Sequence, residues 1–217
     1  MKTAITVDEA AALIPDGASI MLGGFMGIGA PDRLIRKLAE IGRKNLTVIS
    51  NDTAKPGYGP NPLLDVHAAK KLIASHIGKS PEAQRQMLAG EIEVELVPQG
   101  TLVERIRAGG VGLGGVLTPT GVGTEAQNGK QVVEIDGRPF LVEKPIRADF
   151  ALISCWRCDY AGNLAYTMSA QNFNPVMALA ADVVIVEPHE FVPIGVIPPD
   201  DVRTPGAIVD YIVGRAH

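Results

Sequence analysis

Asp16-Gly-Ala-Ser-Ile-Met-Leu-Gly23-Gly24-Phe25-Met26-Gly27-Ile28-Gly29-Ala-Pro31 is the stretch that decides the fold. Residues 18–22 form an apolar run of strand length that ends in Gly23-Gly24. Pro31 suits the first position of a helix, and Leu34, Ile35, Leu38 and Ile41 recur at helical spacing until Gly42. Residues 46–50 are a second strand of the buried type. The segment reads as strand, glycine turn, helix, strand, which is a right-handed βαβ unit.

The alternation continues outward. Upstream, Thr6-Val-Asp-Glu9 is a capping box that starts a helix over 10–14, and Pro15-Asp-Gly17 stops it. Downstream, 51–62 is a polar loop, and strands at 71–75 and 94–97 alternate with helices at 81–88 and 101–108. Eight glycines between 109 and 129 predict a long loop lying against something. Residues 132–135 and 140–143 flank Asp136-Gly137 and predict a hairpin. Strands at 151–154 and 183–186 enclose a helix over 174–181. The expected class is α/β, an open and mostly parallel sheet flanked by helices with a small β-hairpin excursion, in one domain over 1–217.

Composition narrows the functional classes. The 217 residues are 46% hydrophobic and 20% charged with a net charge of −4, enough apolar material for one sizeable core. A pI near 5.6 and a mean hydropathy of +0.16 leave no basic footprint for nucleic acid. No apolar run approaches the roughly 20 residues that span a bilayer, so no membrane association is expected. Met1-Lys2-Thr3 reads as the lead into a helix start rather than a signal peptide, which places the expected protein in the cytoplasm. Cys155 and Cys158 follow a strand and precede the turn Asp159-Tyr-Ala-Gly, the wrong setting for a redox pair, and no second cluster completes a metal site. They read as reduced structural or bystander thiols, with no metal and no permanently bound cofactor expected.

The glycine turn carries the chemistry. A strand delivers it to the carboxyl edge of a parallel sheet just before a helix, where backbone N–H groups meet negative charge or an acyl oxygen. A tight turn without a ligand is the plain alternative. A dinucleotide fingerprint is a third reading, but Asp32 stands where its last glycine belongs.

From Asp16 to Pro31 the segment resembles the glycine-rich signature of family I CoA-transferases: Asp-Gly, two variable and three apolar residues, Gly-Gly-Phe, three residues, Gly, one residue, Pro. Ile49-Ser-Asn51-Asp52, Glu95-Leu-Val-Pro-Gln99-Gly-Thr-Leu102, Glu104-Arg-Ile-Arg-Ala-Gly-Gly110, Leu117-Thr-Pro-Thr-Gly-Val-Gly123, Arg147-Ala-Asp-Phe-Ala-Leu152 and Asn172-Phe-Asn174 extend the resemblance over nearly the whole chain. It implies the alpha half of a two-subunit enzyme. The nucleophile of such an enzyme is a glutamate in a Ser-Glu-Asn-Gly motif of the beta subunit, and transfer is ping-pong through a glutamyl-CoA thioester. This sequence has no such motif; Glu125-Ala-Gln-Asn-Gly129 imitates it only superficially.

By the same resemblance, Asn51 orients the partner's glutamate, Gln99 donates to the oxygen on which charge develops, and Gly23, Gly24, Phe25, Met26, Gly27, Ile28 and Gly29 contact coenzyme A, the substrate. An α2β2 assembly is implied as well, with the span 109–123 as the candidate partner contact. Asn51-Asp-Thr-Ala54 and Ser75-His-Ile-Gly78 resemble the short-chain acetate- or butyrate-acetoacetate transferases more than the 3-oxoadipate type, and a succinyl-CoA:3-oxoacid transferase is the other alternative. Outside the class stand an NAD-dependent oxidoreductase and a non-catalytic acyl-CoA-binding subunit. His76 reads as a structural or loop-lining residue, and His67, His189 and His217 carry no assigned role.

Overall fold

The computed structural model describes residue 2 and residues 4–214; His217 lies outside them. Strand β1 (Ala4–Ile5) leads into helix α1 (Val7–Ala12) through the expected capping box, in which Thr6 and Glu9 exchange side-chain and backbone hydrogen bonds. The alternating part follows as β2 (Ser19–Leu22), α2 (Asp32–Glu40), β3 (Leu46–Ser50), α3 (Asn61–Asp65), β4 (Ala69–Ala74), α4 (Pro81–Leu88), β5 (Glu93–Leu96) and α5 (Gln99–Gly110). An antiparallel excursion comprises β6 (Val116–Thr118), β7 (Val132–Ile135) and β8 (Arg138–Glu143). The chain returns through β9 (Ala148–Asp159), β10 (Leu164–Ala165), α6 (Asn174–Leu179), β11 (Ala181–Val192) and β12 (Tyr211–Val213).

Among the described residues, the large sheet has the order β1-β12-β11-β9-β2-β3-β4-β5 with parallel neighbours throughout, and β10 adds to β9 antiparallel. Both faces are covered, which is why these strands read as continuous apolar runs. Ile20, Leu22, Val48, Leu72 and Leu152 point into one core with α1 to α4, while Met21, Ile49, Ile73, Ala151 and Ile153 point into the other with α5 and α6. From β2 the chain winds outward through β3, β4 and β5; from β9 it winds the other way through β11 and β12. The reversal falls between β2 and β9, where open α/β sheets have their ligand crevice beyond the carboxyl ends of the strands.

The small sheet is fastened to this frame by charge. Glu143, buried, accepts from Lys130 Nζ at 2.6 Å and faces Arg105 Nε at 3.8 Å, while Arg105 Nη1 donates to Glu95 at 2.8 Å and Lys71 meets Glu93 and Glu95. Burial pushes the Glu95 carboxyl up, but the Arg105 hydrogen bond and Lys71 outweigh it and hold it below the usual range. The β7–β8 turn has Asp136 at φ 51° and Gly137 at φ 72°, the left-handed pair that a two-residue hairpin requires.

The structure corrects several boundaries. The strand expected over 151–154 runs from Ala148 to Asp159 because β11 pairs with it along its whole length, so both cysteines lie inside a strand rather than after it. The loop expected over 109–129 contains the end of α5, strand β6 and a single helical turn at Glu125–Gln127. Gly109 and Gly110 are demanded there, since a Cβ on either would meet the backbone of Ile146 or Leu179. Asn61-Pro62, expected in the loop, opens α3, and the helix expected over 174–181 stops at Leu179 because Ala181 already belongs to β11. Pro31 caps α2 rather than opening it, and Gln99 is the first residue of α5, two before the expected start.

Burial pushes the Cys155 thiol well up and the Cys158 thiol up to about 12. Both therefore stay protonated at about pH 8, and an aromatic disulfide reagent should label neither in the folded protein and both after denaturation. Fast labelling of either thiol before unfolding would contradict this packing.

Candidate active site

At the carboxyl end of β2, the chain folds back on itself. Phe25 N–H donates to the Ile28 carbonyl at 3.0 Å and Ile28 N–H to the Phe25 carbonyl at 2.9 Å, closing a turn over Met26 and Gly27 at φ 52° and 86°. Gly27 accepts that conformation freely, whereas Met26 carries a left-handed strain on the order of 1–2 kcal/mol. The Asp52 carboxylate holds it: Met26 N–H donates to the two Asp52 oxygens at 3.0 and 3.2 Å. The same carboxylate accepts from Ala54 N–H at 2.7 Å, and Ala54 is itself at φ 56°. One buried anion thus steadies strained residues in both the β2 and β3 loops.

The rest of the turn is riveted by two asparagines that precede and open α6. Asn172 Oδ1 accepts from Gly24 N–H at 3.1 Å while its Nδ2 donates to the Ile28 carbonyl at 3.1 Å. Asn174, fully buried, accepts from Ser154 N–H at 3.1 Å and donates to the Gly29 carbonyl at 3.0 Å. A Cβ on Gly23 would collide with the Asn174 amide, and one on Gly29 would meet the Ala170 carbonyl at 2.6 Å. Gly23 donates to Leu152, so five of the seven N–H groups of 23–29 are bonded within the chain, and those of Gly27 and Gly29 stand apart. Phe25 and Ile28 project outward, 40% and 53% exposed.

Beside the turn lies an open cavity of about 340 Å³ into which Phe25, Asn51, Gln99, Arg107, Asn172 and Phe173 face. Asn51, 1% exposed, ends just past β3, and Gln99 opens α5 after β5. The two side chains touch: Gln99 Nε2 donates to Asn51 Oδ1 at 2.8 Å. Ser75 Oγ donates to the Asn51 backbone carbonyl at 2.6 Å and lies 3.4 Å from Oδ1. With its oxygen so engaged, Asn51 presents its NH₂ as a donor, and Gln99 retains a second N–H. The cavity thus offers amide donors and an arginine, and among the described residues no carboxylate lines it.

Three of these six residues, Arg107, Asn172 and Phe173, lie in family motifs but have no role assigned from the sequence. Arg107 follows Gln99 by eight residues, the spacing of one helical stripe, and that was the available signal. Asp52 gave none, because its role depends on where β2 delivers its turn.

A larger cavity, about 490 Å³, lies at the start of α2. There Glu187 of β11 accepts from the N–H groups of Arg33 and Leu34 at 3.2 and 3.0 Å and pairs with Arg33 Nε at 3.4 Å. Burial pushes the Asp32 carboxyl up against the pull of Arg36, and Glu187 adds to the rise. The helix end that would hold a pyrophosphate is filled by the protein's own carboxylate, so the dinucleotide reading is set aside.

None of the remaining candidates lines the cavity beside the glycine turn, and His189 faces the larger one at the start of α2. His76 is exposed beside Gly78, His67 sits among Glu82 and Glu91, and His189 stacks on Trp156 at 4.5 Å. Glu125 is exposed on its single helical turn. Among the described residues no group of three His, Cys, Asp or Glu is placed to hold a metal, and no helix is long and apolar enough to cross a membrane.

Residues 4–215 match the family model described as Coenzyme A transferase. The chain is 54% identical over 214 residues to the acetate CoA-transferase subunit alpha of Escherichia coli (strain K12), across 98% of this chain and 97% of that one. It is 50% identical over 198 residues to the acetoacetyl-CoA:acetate/butyrate CoA transferase alpha subunit of Clostridium acetobutylicum, across 91% of each. An acyl-CoA transferase from Escherichia coli O157:H7, solved as a thioester complex with CoA, superposes with a TM-score of 0.89 at 25% identity, over 99% of this chain and 50% of that one. The chain therefore spans half the length of that solved transferase and nearly all of the two subunits.

Replacing Asp52 by Ala removes the acceptor that steadies Met26 and Ala54 and leaves buried donors unmet. The expected cost is about 1–3 kcal/mol of stability, with faster amide exchange at residues 24–29. Unchanged exchange there would refute the clamp.

Proposed function

The chain belongs to the coenzyme A transferase family, and from that premise we propose that it is the alpha subunit of a heteromeric short-chain acyl-CoA:carboxylate CoA-transferase of the acetate/acetoacetyl-CoA type. The observation that carries the reading is the cleft itself: paired amide donors at Asn51 and Gln99 beside the glycine turn, with no carboxylate among the described residues lining it. The nucleophile then comes from a partner, and the relatives' names as alpha subunits support the existence of a beta subunit.

In this reading the partner's glutamate attacks the carbonyl of the donor acyl-CoA, forming a C–O bond as the C–S bond breaks. The resulting anhydride is attacked at its glutamyl carbonyl by the released CoA thiolate, which frees the donor's acid and leaves a glutamyl-CoA thioester. The acceptor carboxylate reverses these steps and leaves as the new acyl-CoA. Gln99 donates to the carbonyl oxygen as it gains charge, and the Asn51 NH₂ orients the attacking carboxylate. Both groups are prepositioned, since each fixes the other. Phe25 and Ile28 at the tip of the 23–29 turn offer an apolar surface to coenzyme A, with the Gly27 and Gly29 N–H groups beside it.

The partner covers this edge and the exposed apolar side chains of Val111, Leu113 and Leu117 within 109–123, in an α2β2 assembly whose interface exceeds roughly 2,000 Å². The protein works in the cytoplasm. A 3-oxoadipate or succinyl-CoA:3-oxoacid transferase remains the alternative within the family.

Gln99→Ala should lower kcat by about 10²–10³-fold in the intact complex, with assembly unchanged on size-exclusion chromatography. Normal turnover would remove Gln99 from the mechanism. The chain alone should show no transfer, and addition of the beta subunit should restore it.

A further inference from the structure

The cavity beside the glycine turn, about 340 Å³, has more room than a reacting carboxylate fills. Gln99, Val103 and Arg107 form one stripe of α5, at intervals of four residues, and all three face the cavity. Phe25, Phe173 and Val176 supply apolar walls opposite them. Eight residues separate Gln99 from Arg107 by about 12 Å along the helix axis, and helical side chains slant toward the helix N-terminus, so the guanidinium leans back toward the amide pair. Its Nε is held by Glu104 at 3.0 and 3.3 Å. Among the described residues no protein acceptor meets Nη1 or Nη2.

Building on the transferase reading, we infer that Arg107 is a specificity-determining residue that donates its Nη hydrogens to a second oxygen on the acyl chain, the 3-oxo group of a 3-oxoacid. The amide pair holds the reacting carboxyl at one end of the cavity. The apolar walls take the carbon chain, and the guanidinium lies further along, where a plain fatty acid offers it nothing. Glu104 already balances the charge of Arg107, so the pair carries no net charge and suits a neutral carbonyl better than a second carboxylate. Arginine is suited to this role because one edge of its planar fork stays on Glu104 while the other remains available.

Initial rates of the intact complex, with acetyl-CoA as donor and acetoacetate, butyrate or succinate as acceptor, test the assignment. In Arg107→Met the kcat/KM ratio of acetoacetate to butyrate should fall about 10-fold or more, and in Arg107→Lys by less, since one donor survives. Any general loss from folding or assembly cancels in that ratio. A ratio within about twofold of the parent overturns the proposal, as does a loss confined to succinate. A parent complex that transfers CoA to none of the three acids overturns instead the transferase reading beneath it.

Discussion

The buried side-chain amide of Asn174 joins the two halves of the sheet at the place where their winding reverses. Its oxygen takes the N–H of Ser154 on β9, and its nitrogen reaches the Gly29 carbonyl beyond β2. Because Asn174 is fully buried, the asparagine fixes how far the glycine turn stands from the neighbouring strand. The glycines follow from this. Gly23 leaves space for the amide, Gly29 for the Ala170 carbonyl, and Gly27 supplies the left-handed turn. A motif that reads as a ligand-binding loop is, at most of its positions, a set of spaces cleared for the protein's own groups.

That dependence explains what the amino-acid sequence revealed. Strands β2 and β3 were legible because burial on both faces leaves short unbroken apolar runs, and the β7–β8 hairpin because Asp136-Gly137 specifies its turn locally. The outer parts of β9 and β11 were not, since Trp156-Arg157 and Glu187-Pro-His-Glu190 are extended only because each strand supports the other. Two-residue strands such as β1 have no pattern of their own. Within the site, Asn51 and Gln99 came from resemblance. Their mutual hydrogen bond joins residues 48 positions apart, a pairing that only the packing of α5 beside β3 reveals. Asp52 and Arg107 likewise acquire meaning only when distant segments converge.

The glycine turn and the small sheet are held by different means. The glycine turn rests on amides and one carboxylate buried among N–H groups, interactions that depend little on salt. The small sheet hangs on the chain of charges from Lys71 through Glu95 and Arg105 to Glu143 and Lys130, whose outer members are partly exposed and therefore screened. The cleft lies on the first system rather than the second.

Glu187, seated on the first turn of α2, has a wider implication. A helix beginning attracts whatever anion arrives, and it holds that anion equally well before and after a reaction. The protein stoppers this attractor with its own side chain, whose two oxygens take the N–H groups of Arg33 and Leu34. The stopper keeps this helix beginning from becoming a trap for diffusing anions at the sheet edge.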